Sequence, residues 1–340
     1  MAPNRTAGIV LCAGRGTRMG SRTLNKVCFP VAGEPAINRI LRTYRGCGID
    51  PIVVVVGAMA GRTIEIVGRA HPEVLFAYQR EQLGTGHAAQ VGFRALRRCG
   101  WRGHVLVALG DKLVDESVVE AVKGAFARSR PDALVTVSRR RDKGRQGRVV
   151  IDRTGTVEGI WEWADIRAAA IYSEALAMTR HGPVSSARLR RMALTQIPEE
   201  SRLSKAIGPL WSLLQRQRRI DRAALEGCIP PGAGRIVVAG RPRTARQVER
   251  MGRWVNESVY LFKASALRCA LDELLPRPAG SELYLPDAIN RLAARGRRVQ
   301  ALVLRNADLV LGFNSPEELA QAEERLLAAQ EHRTHRDSTG

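Results

Sequence analysis

The sequence is poor in aromatic residues and in long apolar runs, and each shortage excludes a class of protein. Only 5% of the 340 residues are aromatic, so stacking platforms for single-stranded nucleic acid are scarce. No apolar run reaches the roughly 18 residues that a membrane helix needs. The amino-terminal segment lacks an apolar stretch followed by a small-residue cleavage site. We therefore expect no signal peptide, no membrane association and a cytoplasmic protein.

Paired cysteines are also missing. The six cysteines are scattered along the chain, and no Cys-x-x-Cys pair occurs. This spacing argues against a structural zinc site and against a disulfide framework. It favours free thiols in a reducing compartment.

Acidic residues are few beside the basic ones, with 33 Asp and Glu against 54 Lys and Arg, and the net charge is +21. Such a charge is typical of proteins that bind nucleic acid, of proteins from an arginine-rich proteome, and of proteins whose surface attracts phosphorylated small molecules. No zinc-finger, homeodomain or RNA-recognition signature occurs. Because charge alone binds nucleic acid without regard to sequence, we expect no specific nucleic-acid partner.

What the chain does contain is an alternation of apolar, β-branched runs with segments of helical spacing from residue 7 to about 139. The pattern predicts strands over 7–14, 49–57, 74–79, 104–111 and 133–139, and helices over 35–48, 61–70, 87–99 and 117–130. It indicates an α/β fold with a Rossmann-like, mostly parallel sheet and helices on both faces. Ligands of such sheets bind at the carboxyl ends of the strands.

A glycine-rich loop follows the first predicted strand, within LCAGRGTRMGSRTLNKVCFPVAGEPAINRIL, residues 11–41. Gly14 and Gly16 would let backbone amides approach phosphate oxygens closely, and basic side chains surround them. The alternative is a tight turn with solvated basic residues. Two familiar phosphate motifs are absent: Met19 replaces the third glycine of the dinucleotide fingerprint, and no Gly-Lys-Ser/Thr run occurs.

The whole segment resembles the signature of the sugar-phosphate nucleotidyltransferases, most closely the uridyltransferase domain of bacterial N-acetylglucosamine-1-phosphate uridyltransferase. That signature is L-x-A-G-x-G-T-R-M followed by a lysine. The matching residues here are Leu11, Ala13, Gly14, Gly16, Thr17, Arg18, Met19 and Lys26. The resemblance implies that the loop binds the triphosphate and that Arg18 and Lys26 neutralise its charge as the catalytic groups.

A second segment, QREQLGTGHAA at residues 79–89, resembles the base-recognition run of the same family. The resemblance implies that Gln79 and Gln82 contact the base, and that Gly84 and Thr85 contribute backbone contacts to the nucleotide. A glutamine amide offers a donor and acceptors, as a pyrimidine edge requires, so UTP is the favoured nucleotide. Taken alone, this segment would be a strand-to-helix turn with Thr85 as its cap.

Two oxygen donors are implied as ligands of a magnesium ion. Asp111 ends a predicted strand in LVALGDKLVDE, and Asn314 lies in LVLGFNSPEEL. A carboxylate and an amide oxygen beside a triphosphate suit Mg²⁺. The family usually reads Gly-Asp-x-Pro, whereas Lys112 and Leu113 follow the aspartate here, which puts a lysine near the phosphates. The alternatives are a turn aspartate and a loop-capping asparagine.

The resemblance implies three residues on the side of the sugar phosphate, namely Gly147, Glu162 and Asn256. Asn256 stands where the family has Asn-Thr-Gly, and Glu257 and Ser258 depart from that pattern. Because these departures lie on the acceptor side, the identity of the acceptor stays open.

The implied reaction transfers a nucleotidyl group from an NTP, UTP first, to a sugar 1-phosphate, with N-acetylglucosamine 1-phosphate as the default, and releases pyrophosphate. Mg²⁺ is the implied cofactor. Two alternatives stay open: a molybdenum-cofactor-type or other nucleotidyltransferase, and a non-catalytic regulator that binds a sugar nucleotide. Oligomeric state is also open, a homo-oligomer included.

Composition divides the chain after residue 165. Residues 166–253 contain 17 Lys and Arg against 6 Asp and Glu, and strand patterns return from about residue 254. We predict that residues 1–165 are the nucleotide-binding part of a nucleotidyltransferase domain and that 254–328 are its remainder. Residues 166–253 would be an inserted basic, mainly helical subdomain, and 329–340 a disordered tail.

Overall fold

A central sheet with helices on both faces organises the chain, in a computed structural model that describes residues 5–21, 23–140, 144–229, 234–276 and 282–337. The strands are β1 Thr6–Cys12, β2 Pro30–Val31, β3 Glu34–Pro35, β4 Ile49–Val56, β5 Leu75–Tyr78, β6 His104–Leu109, β7 Lys112–Val114, β8 Ala133–Arg139, β9 Arg148–Ile151, β10 Val157–Trp161, β11 Val184–Ser185, β12 Arg219–Ile220, β13 Ile236–Val238, β14 Arg241–Arg243, β15 Trp254–Lys263, β16 Val299–Leu304 and β17 Val310–Gly312.

Twelve α-helices lie within the described residues. They are α1 Ala36–Gly46, α2 Ala60–Ala70, α3 Gly84–Arg98, α4 Glu116–Ser129, α5 Trp163–Met178, α6 Ser186–Gln196, α7 Glu200–Arg216, α8 Arg222–Cys228, α9 Ala245–Met251, α10 Ala264–Asp272, α11 Leu285–Ala294 and α12 Pro316–Asp337. None of these helices combines the length and the hydropathy of a membrane span.

The described part of the large sheet contains nine strands, and its first half is parallel. Strands β5, β4, β1 and β6 are parallel neighbours. Strand β15 runs antiparallel between β6 and β8, and β16 then pairs with β8 in parallel. The antiparallel pair β9–β10 joins the amino-terminal end of β15. The fold is therefore the predicted Rossmann-like sheet, with an antiparallel strand at its centre.

Two hydrophobic cores cover the two faces of the sheet, because successive side chains of a strand point to opposite faces. In β1, Val10 packs in the core that includes residues of α1, α2, α4 and α12. Its neighbour Ile9 packs in the core that includes residues of α3, α10 and α11. This arrangement confirms helices on both faces. It also leaves the carboxyl ends of β1, β4, β5 and β6 together at one edge.

Residues 163–229 form a third hydrophobic core of their own, built by α5 to α8 and the β11–β12 pair. A smaller cluster joins α5, β13 and α9 to Val150 of β9. Helix α5 begins at Trp163, three residues before the predicted boundary at 166. Helix α7 is kinked at Ile207 and Gly208, just before Pro209, so it consists of two helical segments.

The carboxyl-terminal segment differs from the prediction. Helix α12 extends to Asp337 and so covers most of residues 329–340, which we expected to be a disordered tail. The apolar face of this helix packs on the sheet through Ala322, with Leu319 and Leu326 beside it. This packing stabilises the part of the helix that precedes residue 329.

Candidate active site

The glycine-rich loop after β1 is held by one buried side chain, Asn25, which is 1% exposed. Its Nδ2 donates hydrogen bonds to the carbonyl oxygens of Cys12 at 3.2 Å, Gly14 at 2.9 Å and Ala58 at 3.2 Å. These contacts tie both ends of the loop to the segment after β4. Our sequence analysis did not single out Asn25, because an asparagine in a polar loop is an ordinary residue there.

The two glycines of this loop have different surroundings. Gly16 has φ +57°, and a Cβ added to it would lie 3.1 Å from Cβ of Lys26. Gly16 is therefore required by the fold of the loop. A Cβ at Gly14 would meet no described heavy atom within 4 Å, so protein packing does not require a glycine there. Its role in phosphate contact stays a prediction.

The remaining loop residues of the signature occupy the end of β1 and the following turn. Leu11 and Ala13 are buried, and the carbonyl oxygen of Ala13 accepts a hydrogen bond from the amide of Ala58 at 3.2 Å. Thr17 begins a short 3-10 helix, Thr17–Met19, that carries Arg18. The strand end thus fixes where the loop starts, and the 3-10 turn fixes where Arg18 lies.

Four residues that the sequence assigned to catalysis and metal binding meet at the carboxyl edge of the sheet. The side-chain oxygen of Asn314 accepts hydrogen bonds from Nη2 of Arg18 at 3.0 Å and from Nζ of Lys26 at 3.3 Å. Lys26 also forms an ion pair with Asp111. Almost 300 residues separate Arg18 from Asn314, so only the fold brings them together.

Asn314 is oriented by a residue that the sequence analysis missed. Oε2 of Glu318, in the first turn of α12, accepts hydrogen bonds from the backbone amide of Asn314 at 2.7 Å and from its Nδ2 at 3.2 Å. Because the amide nitrogen is engaged there, the amide oxygen faces Arg18 and Lys26. The sequence offered one signal for this contact: Glu318 lies four residues after Asn314, at the start of a helix.

The donor set of this cluster fits a divalent metal ion. Oδ2 of Asp111 pairs with Lys26, while Oδ1 is buried and has no hydrogen-bond partner among the described residues. A buried carboxylate oxygen without a partner is costly, so this atom is set up for a ligand. No group of three or more His, Cys, Asp or Glu able to hold a metal lies in the described part of the chain. Asp111 and Asn314 therefore suit Mg²⁺, which is usually held by few carboxylates together with substrate phosphates.

Cys12 lies beside this cluster at the end of β1, but its thiol is not activated. Burial raises the pKa of the Cys12 thiol well above its usual range, and the neighbouring Cys28 and Asp111 raise it further. A neutral thiol is a poor nucleophile. All six cysteines are free, as expected from their spacing.

The second motif forms a turn whose own side chains hold it. Gln79 is 2% exposed, and its Nε2 donates a hydrogen bond to the carbonyl oxygen of Gly84 at 3.2 Å and lies 3.0 Å from Nδ1 of His87. Gln82 donates to the carbonyl oxygen of Gln79 at 3.5 Å. Both predicted base-contacting glutamines thus shape the loop, and their contact with a base stays a prediction.

Gly84 and Thr85 of this motif contact the segment that starts α11. Gly84 has φ +89°, and a Cβ there would lie 2.4 Å from the carbonyl oxygen of Leu283. Oγ1 of Thr85 accepts a hydrogen bond from the amide of Leu285 at 3.0 Å. Thr85 therefore caps α11 rather than its own helix, contrary to the alternative interpretation. These contacts join the nucleotide motif to the start of α11.

The three residues predicted on the acceptor side meet where β9, β10 and β15 join. A Cβ at Gly147 would lie 3.4 Å from Oε1 of Glu162, and the amide of Asn256 donates to the carbonyl oxygen of Gly147 at 3.3 Å. Nδ2 of Asn256 contacts the hydroxyl of Tyr260 at 2.5 Å. Burial raises the pKa of Tyr260, and the nearby Glu162 raises it further, so Tyr260 keeps its proton. Tyr260 was not singled out in the sequence.

Arg148, the residue after Gly147, has a structural role. Its side chain is 1% exposed, and its Nε pairs with Oε2 of Glu249 in α9 at 3.2 Å. It also donates to the carbonyl oxygens of Gln146 at 2.6 Å and Gly144 at 2.8 Å. These contacts fix the 144–148 loop to the inserted subdomain.

Lys112 and Glu257, which follow Asp111 and Asn256, face one another. Nζ of Lys112 lies 3.5 Å from Oε2 of Glu257, and Oγ of Ser138 donates to Oε1 of Glu257 at 2.5 Å. Ser258 stands where the family motif has glycine, and its φ of +61°, at an irregularity in β15, is in the left-handed region that favours glycine.

A family profile described as a MobA-like NTP transferase domain matches residues 8–220. The chain belongs to the MobA-like NTP transferase family. This membership confirms that the chain carries a nucleotidyltransferase domain.

Curated relatives match over most of this NTP transferase. The bifunctional protein GlmU of Clavibacter sepedonicus is 28% identical over 323 residues, which are 95% of this chain and 49% of the relative. The bifunctional protein GlmU of Kineococcus radiotolerans is 30% identical over 315 residues, which are 92% of this chain and 48% of the relative. The NTP transferase thus spans about half the length of these relatives.

A solved structure shares the fold of this NTP transferase. A UDP-glucose pyrophosphorylase, solved with UDP-glucose, has a TM-score of 0.60 at 13% identity, with 96% of this chain and 99% of that one covered. At this identity the likeness shows the fold alone, and it confirms the predicted fold class.

Proposed function

We propose that this NTP transferase transfers a uridylyl group from UTP to a sugar 1-phosphate and releases pyrophosphate, with N-acetylglucosamine 1-phosphate as the first acceptor to test. The observation that carries the proposal is the convergence of Arg18, Lys26, Asp111 and Asn314 at the carboxyl edge of the sheet. Two cations beside two oxygen donors suit a triphosphate with its metal ion.

In this proposal, an oxygen of the acceptor phosphate attacks the α-phosphorus of UTP, a new P–O bond forms, and the bond to pyrophosphate breaks. The attacking phosphate is already an anion, so no side chain has to remove a proton from it. The residues therefore act by holding two anions together and by stabilising developing negative charge. Arg18 and Lys26 would bind phosphate oxygens, with Lys26 exchanging part of its contact with Asp111 for them.

Mg²⁺ is the ion we propose for Asp111 and Asn314. When bound, it would supply positive charge to the phosphates and orient them. The buried, unpartnered Oδ1 of Asp111 supports this assignment, and so does the amide oxygen that Glu318 orients. Nucleotidyltransferases of this kind generally use a divalent metal ion.

The choice of UTP rests on the QREQLGTGHAA segment, and the choice of acceptor rests on Gly147, Glu162 and Asn256. The turn of Gln79 and Gln82 lies at the end of β5, and β4 separates β5 from β1, whose end carries the glycine loop. Glu162 and Asn256 offer a carboxylate and an amide, which suit sugar hydroxyl groups. The start of α11 contacts the base-side turn through Leu283 and Leu285.

The test is a matrix of reactions with Mg²⁺, each of the four NTPs and a panel of sugar 1-phosphates, with pyrophosphate release as the readout. We expect release that needs both UTP and one sugar phosphate. Release with another NTP would contradict the base assignment and keep the reaction. If the protein binds an NTP but releases pyrophosphate in none of the mixtures, the proposed reaction is contradicted. Lys205→Ala, at an exposed lysine of α7, is the control for altered charge.

A further inference from the structure

Two charged side chains from the two motif segments lie 145 residues apart in the sequence and meet as one ion pair. Lys112 follows the metal-side aspartate, and Glu257 follows the acceptor-side asparagine. Their charged groups are 3.5 Å apart, and their side chains are 21% and 10% exposed. The ion pair therefore joins the segment of the predicted metal ligand to the segment of the predicted acceptor residue.

The ammonium group of this pair lies between the two halves of the site. The Lys112 side chain runs along Gly312, where an added Cβ would come 3.1 Å from its Nζ, and Gly312 pairs with Lys112 in the β7–β17 ribbon. Lys112 adjoins Asp111 in the sequence and pairs with Gly312, two residues before Asn314, while its ammonium group contacts Glu257, the neighbour of Asn256. An anion bridging the metal cluster and the acceptor residues would therefore pass this ammonium group.

The reaction needs a cation at that place, because an acceptor phosphate must approach a triphosphate against charge repulsion. Arg18 and Lys26 lie with Asn314 on the nucleotide side. On the acceptor side Arg148 is buried against Glu249, and Arg145 pairs with Glu199 at 2.6 Å and stacks on Trp163 with its Cζ 5.3 Å from a ring centroid. Lys112 is the described cation that borders both halves.

We propose that Lys112 binds the phosphate of the acceptor and that Glu257 is its positioning residue. This inference rests on the proposed function and names the group that recognises the acceptor phosphate. Ser138 fixes Glu257 at 2.5 Å, so the carboxylate holds the ammonium group before the acceptor arrives. An ammonium group has three N–H donors, so Lys112 can serve a phosphate oxygen while it keeps Glu257.

The main experiment measures the KM for each substrate separately in wild type, Lys112→Met and Lys112→Arg. We expect Lys112→Met to raise the KM for the sugar phosphate by about 10- to 100-fold, which is the usual range for a lost charged hydrogen bond. The KM for UTP should stay within about threefold, and Lys112→Arg should restore part of the loss. A rise confined to the KM for UTP, or an unchanged KM for the sugar phosphate, would overturn the inference.

Arg145→Met is the matched control, since Arg145 is a basic residue two positions before Gly147 that stacks on Trp163, the neighbour of Glu162. We expect it to change the KM for the sugar phosphate less than Lys112→Met does. The opposite ranking would assign the acceptor phosphate to Arg145 and overturn the role of Lys112.

Glu257→Gln tests positioning, because glutamine keeps an acceptor for Ser138 and loses the charge that holds Lys112. We expect a smaller rise in the KM for the sugar phosphate than in Lys112→Met, and no further rise when Glu257→Gln is added to Lys112→Met. Additive effects in that double variant would show that Glu257 acts independently of Lys112 and would overturn its positioning role.

A binding readout separates failure of this inference from failure of the proposed function. Calorimetry measures N-acetylglucosamine 1-phosphate binding in the presence of the α,β-methylene analogue of UTP, which cannot release pyrophosphate. Weaker binding to Lys112→Met by at least tenfold supports the inference even where turnover is absent. Equal affinities, or no binding to wild type, would overturn it. Absence of pyrophosphate release by wild type in the substrate matrix counts only against the proposed function.

Discussion

The two halves of the site are built differently. The nucleotide half lies on one contiguous loop that leaves β1, fixed by a single buried asparagine, with Asp111 and Asn314 brought to it by neighbouring strands. The acceptor half is assembled from β9, β10 and β15 and is attached to an inserted subdomain through Glu249. The loop from Gly14 to Lys26 keeps the family signature, whereas the segments that follow Asp111 and Asn256 depart from the family motifs.

This difference indicates where a nucleotidyltransferase is free to vary. The triphosphate is common to many reactions, so the loop that binds it keeps one arrangement, in which Gly16 packs against Lys26. The acceptor differs from one reaction to another, and its half contains the Lys112–Glu257 pair and Ser258 with its glycine-like φ. The predictions below test whether the halves separate in function as they do in structure.

The largest effect is expected from Lys26→Met in the nucleotide half. The variant loses a cation at the triphosphate and leaves Asp111 without its ion pair, so kcat/KM should fall by about 10²- to 10³-fold. Pyrophosphate release measures the rate, and circular dichroism with thermal unfolding checks the fold. Wild-type turnover in a folded Lys26→Met protein would contradict the site assignment. Lys205→Ala should behave as wild type.

A pair of glycine substitutions separates folding from binding. Gly84→Ala puts a Cβ against the carbonyl oxygen of Leu283 in a left-handed conformation, so it should lower the free energy of unfolding by about 2–4 kcal/mol. Gly14→Ala meets no described atom and should stay within about 0.5 kcal/mol of wild type. Urea unfolding measures both.

Gly14→Ala also tests whether Gly14 contributes to nucleotide binding. If the loop binds the triphosphate, Gly14→Ala raises the KM for UTP although its stability is unchanged. A stable Gly14→Ala protein with the wild-type KM for UTP would remove Gly14 from the nucleotide site.

Asn25→Ala tests whether one side chain holds the nucleotide loop. Loss of its bonds to three carbonyl oxygens should lower the free energy of unfolding by about 1–3 kcal/mol and raise the KM for UTP more than the KM for the sugar phosphate. Asn306→Ala is the matched control, because Asn306 only caps a local 3-10 turn through the amide of Asp308 at 3.0 Å. Equal changes in both KM values would show that Asn25 supports the whole fold and not this loop.

The smallest effect is expected at Ser258 in the acceptor half. Ser258→Gly fits the left-handed backbone, so its free energy of unfolding should stay within about 1 kcal/mol of wild type. Ser258→Val places a β-branched side chain at φ +61° and should cost about 1–3 kcal/mol. Urea unfolding of both variants is the measurement. Equal stability of the two would contradict a backbone role for this position.

Sequence alone predicted β1, β4, β5, β6 and β8 and the helices α1 to α4, because each of these elements has a local pattern and ends at a turn residue. It did not predict the short strands β2, β3 and β7. It also assigned the four residues that meet at the strand edge, since their motifs are contiguous. It missed Asn25, Glu318 and Tyr260, whose roles depend on contacts with distant segments. It also missed that Thr85 caps α11 and that Lys112 reaches Glu257, because both contacts join segments far apart in the chain.

The central claim is that the four-residue cluster supports nucleotidyl transfer, and phosphorus NMR of the reaction products tests it most directly. Wild type with UTP, Mg²⁺ and the sugar 1-phosphate should form one diphosphate diester for each pyrophosphate, and Lys26→Met should form neither. Inorganic phosphate in place of pyrophosphate, or pyrophosphate without the diester, would contradict the account.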